Sequence, residues 1–385
     1  MSRSTLLSGL LAVCTGLPLL LSANCEPGPN TLRIKQANGV SIYLGATTSE
    51  QFVAPLISLF DHYGTIYLGP GDTLLVIIHP DCSNLGELSR NGNAQPPTST
   101  VFMGDWTFKC TLAGAYQGGN CEMACNLFDF TIAPLATAQG PARLRPSIIL
   151  DGATTAGTSS HSMRTDLKTA GLLPQAEPYS AMGYTFLGGG GETLTANALA
   201  RPLVDWVIVE LRSTSQPTVV VASQAALVLS YGAVINSDGG DLNFNVAPGY
   251  YYVAFKHRNH LGVMTAQPVL LVGPPLIVDM TNSLIPAYGT EPMKPSGLRF
   301  RLWSGNAVTT VGTQQIKYAG VNNDRDAVLN RVGGSVPTGT ASGYLREDVN
   351  LDGVVKYAGA ANDRDVILTT IGGSVPTATR NEQVP

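Results

Sequence analysis

Apolar and polar positions alternate in short runs along most of this chain. In its first third such runs fall at 40–44, 65–68, 73–78, 99–102, 106–110 and 127–132. Turn signals such as Gly69-Pro70-Gly71-Asp72 and Asn91-Gly92-Asn93 separate them. Runs of this length between Gly, Pro and Asn clusters predict strands, and their spacing predicts a sandwich or barrel. A second set, at 204–212, 218–223, 225–229, 242–246, 250–257 and 269–272, predicts another β unit. There Ala247-Pro248-Gly249 reads as a tight turn feeding Tyr250-Tyr251-Tyr252. One stretch, 163–173, has helical spacing and is stopped by Pro174.

The pattern therefore predicts a mainly β chain with two β-sandwich-like domains, at 24–133 and 147–297. A linker rich in Ala, Pro and Gly is expected over 134–146, and a small duplicated module over 298–385. Residues 1–23 read as a signal peptide: Arg3, an apolar run over 6–21 broken by Gly9 and Pro18, then small Ser22-Ala23. The run is too short and too broken for an anchor, and no later one reaches the ~18 apolar residues of a membrane span. The expected location is secreted, extracellular or at the cell surface. Cys25, Cys82, Cys110, Cys121 and Cys125 would remain after cleavage. Export favours disulfides among them. Their odd number leaves one free, lipidated (Cys25) or paired with another chain.

Composition narrows the partners. Of 385 residues 44% are hydrophobic, and only 13% are charged, about half the usual ~25%. A net charge of −4 excludes a nucleic-acid binder working by bulk charge. Abundant Gly (42) and Pro (25) fit a turn-rich β protein.

The C-terminal part carries an internal repeat with an offset of 39 residues. Lys317-Tyr318-Ala319-Gly320 recurs as Lys356-Tyr357-Ala358-Gly359, and Asn323-Asp324-Arg325-Asp326 as Asn362-Asp363-Arg364-Asp365. Gly333-Gly334-Ser335-Val336-Pro337-Thr338 recurs as Gly372-Gly373-Ser374-Val375-Pro376-Thr377.

The second copy opens with Asp348-Val349-Asn350-Leu351-Asp352-Gly353-Val354. Side-chain oxygens at positions 1, 3 and 5, Gly at 6 and a backbone carbonyl at 7 are what a calcium loop requires. The predicted ligands are Asp348, Asn350, Asp352 and the Val354 carbonyl. Position 12 is Gly359, so Asp363 or Asp365 is expected to close the site, at the start of a short helix ending at Gly372-Gly373. In the first copy Asp324 and Asp326 persist, but Thr309, Val311 and Thr313 stand where the opening acids should be. One structural calcium is expected, in the second copy, with hard oxygen ligands and no nucleophile or base around it.

This duplicated Asp-x-Asn-x-Asp-Gly arrangement resembles a dockerin. The longer stretch 147–385 resembles the uncharacterised C-terminal regions of secreted or surface proteins from Bacteroidota. That likeness rests on Met163-Arg-Thr-Asp-Leu-Lys-Thr-Ala-Gly-Leu-Leu, Val204-Asp-Trp-Val-Ile-Val-Glu-Leu-Arg212, His257-Arg-Asn-His-Leu-Gly-Val-Met264, the Asn-Asp-Arg-Asp repeats and the closing Thr379-Arg-Asn-Glu-Gln-Val-Pro385. It implies a surface location and no chemistry.

Other constellations are weaker. His257 and His260, with Arg258 and Asn259, are expected to pin the exit of a strand or contribute to a binding surface rather than bind metal, since no third ligand stands nearby. Gly188-Gly189-Gly190-Gly191 lacks the Lys-Ser/Thr ending of a phosphate loop and reads as a flexible loop. Glu177, Glu192 and Glu210 are available for paired-carboxylate chemistry, but nothing singles one out. Trp106, Trp206 and Trp303 read as core. The expected function is non-enzymatic adhesion or assembly, including a fibre subunit, through self-assembly or contact with a cell surface or polysaccharide. Docking to a cohesin-like scaffold is the alternative, and a polysaccharide-acting enzyme ranks last.

Overall fold

The structure, a computed structural model, describes strands between residues 30 and 134 by their backbone, and residues 138–155, 162–308 and 314–385 with their side chains. Two compact units result, 1–138 and 139–385, and the described residues are mainly β. The signal-peptide, disulfide and lipidation assignments lie outside the described residues, as do Trp106, Thr309, Val311 and Thr313.

The first unit holds β1 (Asn30–Lys35), β2 (Ser41–Thr47), β3 (Thr65–Leu68), β4 (Thr73–Ile77), β5 (Glu87–Arg90), β6 (Asn93–Gln95), β7 (Ser99–Phe102), β8 (Thr107–Thr111) and β9 (Phe130–Pro134). One sheet has the order β2-β1-β4-β7 and another β3-β9-β8-β5-β6. β5 and β6 pair antiparallel, with Arg90 opposite Asn93; the Asn-Gly sequence between them is the pair that a two-residue hairpin turn favours. β3 and β4, although close in sequence, enter different sheets.

The second unit begins with β10 (Ala142–Ser147). It continues through α1 (Asp166–Thr169), α2 (Ala196–Leu199), β11 (Leu203–Arg212), β12 (Val220–Leu229), β13 (Val234–Ile235), β14 (Leu242–Phe244) and β15 (Gly249–Lys256). Then come β16 (Val263–Met264), β17 (Val269–Leu271), β18 (Leu276–Asp279), β19 (Lys294–Ser296) and β20 (Arg299–Arg301). The largest sheet runs β13-β12-β11-β15-β16, with β17 added on β15. All ten residues of β11 are buried, as expected of a strand covered on both faces. Trp206 and Trp303 are both buried, in line with their reading as core.

Four expectations need correction. The expected linker contains β10, whose Ala142 and Leu144 are buried while Arg143 and Arg145 point outward. Its Ala/Pro content masked a period-two pattern, and β10 is the middle strand of β14-β10-β18. The runs 218–223 and 225–229 are one strand, because Gln224 keeps its place in the ladder opposite Val209. The helix expected over 163–173 shrinks to the four residues of α1. Met163 is drawn into a β-bridge with Thr154, and Gly171 reverses the chain at φ +69°. Finally, the boundary expected at 297/298 falls in the turn of a hairpin, since Ser296 pairs with Arg299.

The repeat builds β21 (Gln315–Lys317), α3 (Asp324–Arg331), β22 (Thr340–Ser342), β23 (Val354–Lys356), α4 (Asp363–Thr370) and β24 (Thr379–Asn381). Thr340 pairs with Lys356 and Thr379 with Lys317. These are the same contact with the two copies exchanged, so the copies are related by a local two-fold axis. Their shared core uses equivalent positions: Ile316 with Val355, Val328 with Ile367, and Val332 with Ile371. This core also takes in Leu261 and Trp303 from the preceding part, while Leu351 of the repeat joins the main core.

Leu144→Ala should lower the unfolding free energy of the full chain by about 2–5 kcal/mol. Arg143→Ala, on the outer face of the same strand, should stay within about 0.5 kcal/mol. Urea denaturation checks both. Equal, small effects would mean that β10 does not carry core packing.

Candidate cation-binding loop

The loop opening the second copy is built by inward-facing oxygens that gather backbone N–H groups. Asp348 Oδ1 accepts from the Asp352 N–H at 3.1 Å and Oδ2 from the Gly353 N–H at 2.9 Å. Asn350 Oδ1 accepts from the same Asp352 N–H at 2.9 Å. Asp352 Oδ1 accepts from the Val354 N–H at 2.9 Å, and Lys356 Nζ stands 3.5 Å from Oδ2. Asp363, the first residue of α4, reaches back: Oδ1 takes Val349 N at 2.8 Å and Asn350 N at 3.2 Å, and Oδ2 takes Lys356 N at 2.8 Å. The tight curvature needs Leu351 at φ +60° and Gly353 at φ +86°. A Cβ on Gly353 would also press on Leu172 Cδ1 at 2.8 Å.

Of the predicted ligands, the fold brings Asp348, Asn350, Asp352 and Asp363 to one loop, with Val354 at its exit on β23. Asp365 is not part of it. Its Oδ2 accepts from Asn362 Nδ2 at 2.8 Å and its Oδ1 from the Arg364 guanidinium, while its own N–H is capped by Asn362 Oδ1 at 2.9 Å. This is a reciprocal helix cap, repeated at Asn323 and Asp326. The Asn-x-x-Asp spacing was a legible sign of it.

Burial pushes the Asp348 carboxyl up to about 6, with the Arg258 charge opposing. Burial, reinforced by the negative charge of Asp348 and opposed by the Lys356 N–H, pushes Asp363 up to about 8. Among the described residues no three His, Cys, Asp or Glu side chains stand close enough to hold a metal ion by themselves. A cation in this loop would therefore need the Asn350 amide oxygen, the Val354 carbonyl and water as well, because the carbonyls of Asp348, Val349 and Asn350 accept from Asn259, Ser304 and Arg164. Each ionised carboxylate has about four acceptor positions, and Asp348 spends two of them on N–H groups.

The first copy repeats the device without the acids. Asp324 Oδ1 takes Ala307 N at 2.7 Å and Val308 N at 3.2 Å, and Oδ2 takes Lys317 N at 2.7 Å. These bonds match those of Asp363 one for one, so Ala307 corresponds to Val349 and Asn306 to Asp348. The register of the opening residues is thus three positions from the offset of 39 used to place Thr309, Val311 and Thr313. Asn306 is fully buried and donates to Gln314 Oε1 at 2.9 Å.

Behind the loop lies a buried polar cluster. Asp205 of β11 accepts from Trp206 N at 2.8 Å and Tyr344 Oη at 2.6 Å on Oδ1, and from His257 Nε2 at 3.2 Å and Arg258 Nε at 3.0 Å on Oδ2. Burial raises its carboxyl, but Arg258 and His257 outweigh that and hold it below the ordinary range. Burial lowers both imidazoles, His260 most. His260 Nε2 accepts from Gly152 N at 3.0 Å, and His257 Nε2 faces Asp205 Oδ2. The guanidinium of Arg258 lies 4.2 Å from the centre of the Tyr344 ring. The expectation that His257–His260 pin a strand exit fits this geometry, but sequence reasoning missed Asp205 and Tyr344. An acid set among the apolar residues Leu203, Val204, Trp206 and Val207 was the available signal.

The remaining candidates are engaged elsewhere. Glu177 Oε2 accepts from Tyr179 N and Ser180 N, and Glu210 is held by Tyr184 and Arg212. Glu192 Oε1 accepts from Gly190 N at 2.9 Å, and Gly189 sits so close to β12 that a Cβ would meet Ser223 O at 2.5 Å. No protein-family model, curated protein or solved structure matches the chain.

Burial, against its N–H partners, lifts Asp324 to about 6. The folded chain then keeps a proton that the unfolded chain, with a carboxyl near ~3.9, has released. Stability from this group therefore falls as pH rises from about 4 to 6. Asp324→Asn should remove a slope of up to about 1.4 kcal/mol per pH unit over that window. Urea titrations at successive pH values test it, and an unchanged slope would place the Asp324 carboxyl near its ordinary value.

Proposed function

We propose that this is an exported, non-enzymatic surface or extracellular-matrix protein acting in adhesion or assembly. Two sandwich-like β bodies present its surfaces. A dockerin-like duplicated module is held by one structural calcium ion in the 348–354 loop. The observation that carries the reading is the convergence of Asp348 and Asp363, with Asn350 and Asp352, on one all-oxygen loop. Calcium takes six to eight such oxygens from carboxylates, amides, carbonyls and water. A bound divalent ion supplies the positive charge that lets two buried neighbouring acids ionise together. Asp348, Asn350, Asp352 and Asp363, with the Val354 carbonyl, would hold it.

A non-catalytic role is supported by where the reactive side chains sit. His257, Arg258, His260 and Asp205 are buried and tied to one another and to Tyr344, so none of them presents a reactive atom at the surface. Docking to a scaffold partner is supported by a different feature. The local two-fold axis places Val336 and Val375 at equivalent positions, each 54% exposed, as a symmetric apolar pair.

Calcium at a hundred times its dissociation constant should raise unfolding free energy by about 2.7 kcal/mol, or roughly 5–10 °C in melting temperature for a unit of this size. Asp348→Asn should abolish most of that shift. Equal melting of the parent chain in calcium and in EDTA overturns the calcium reading. Sedimentation velocity in the same two buffers separates the roles. Assemblies that dissolve in EDTA support a structural subunit, whereas a monomer in both supports docking.

A further inference from the structure

We infer that Arg164, Arg258, Asn259 and Ser304 form a framework that sets the cation affinity of the 348–354 loop. Ion binding and the packing of the repeat against the six-stranded sheet are then one coupled event. The inference rests on the calcium reading above and assigns its positioning residues.

The loop is held from two sides. Its N–H groups point inward to Asp348, Asn350 and Asp363. Its carbonyls point outward and accept from side chains of distant segments. Leu345 O accepts from Arg258 Nη1. Arg346 O and Asp348 O accept from Asn259 Nδ2, at 3.2 and 2.6 Å. Val349 O accepts from Ser304 Oγ, and Asn350 O from Arg164 Nη2 at 2.5 Å.

Two steric features keep these donors in register. Leu351, a branched residue held at positive φ, is 2% exposed and packs in the main core. A conformation of that kind persists only where its surroundings over-determine it. Gly152 lies under the loop, where a Cβ would stand 2.2 Å from Val349 O and 3.2 Å from His260 Cε1. The curvature of the loop is thus fixed by contacts with the surrounding protein as well as by its own acids. Loss of such outer partners typically weakens metal affinity 10–100-fold.

The test is calcium titration calorimetry on the full chain and three variants, with melting in EDTA recorded beside it. Asn259→Ala and Arg164→Met should each weaken calcium binding tenfold or more. Tyr184→Phe loses a half-buried bond to Glu210 and touches no loop carbonyl, so it should lower the melting temperature in EDTA at unchanged affinity. Arg164 is partly exposed, and its variant decides the matter if Asn259→Ala does not fold. A folded Arg164→Met with parental affinity overturns the framework and leaves the calcium reading intact. A parent chain that takes up no calcium overturns both. Equal losses of affinity in all three variants would mean that affinity merely follows stability, and would also overturn the framework.

Discussion

The second unit depends on keeping one carboxylate, that of Asp205, ionised where water does not reach. An unpaired buried charge costs several kcal/mol, so it needs a counter-ion and a full set of donors. Those donors come from β11 itself, from the segment after β15, and from Tyr344 at the start of the second copy. Satisfying a single charge therefore brings the repeat against the sheet. Arg258 extends the link, because its guanidinium also reaches the Leu345 carbonyl and covers the Tyr344 ring.

The two copies show one backbone device with different fillings. In each, the acid that opens the helix turns back to collect three N–H groups. The first copy fills the equivalent of Asp348 with Asn306, whose amide partner is Gln314. The second retains three acids and an amide oxygen. A neutral amide pair of this kind carries no charge that burial would oppose. Clustered acids are buried only at the expense of ionisation, and burial accordingly raises Asp348 to about 6 and Asp363 to about 8.

Much of the architecture was legible in local pattern. Periodicity located β11, β12 and β15 to within a few residues, and the Asn91-Gly92 pair marked its hairpin. The repeat and the 1-3-5-6 loop could be read directly, because both are spacings along the chain. Errors arose where a residue's role depends on a partner far away in sequence. β10 looked like a linker until β14 and β18 paired with it. Asp365 looked like a ligand, although its neighbours Asn362 and Arg364 already engage it. Four helical residues survive at α1 because Met163 is taken by a bridge to Thr154.

The sequence by itself determined the mainly β character, the duplication and the chemistry of the acidic loop, since each depends on residue type and short-range spacing. Only the tertiary structure decided which acid closes that loop, how the two copies are registered, and that the repeat belongs to one compact unit with the preceding sheets. Those outcomes turn on burial. The same Asp, Asn or Arg caps a helix in water or carries a buried network, according to whether long-range packing has removed the solvent around it.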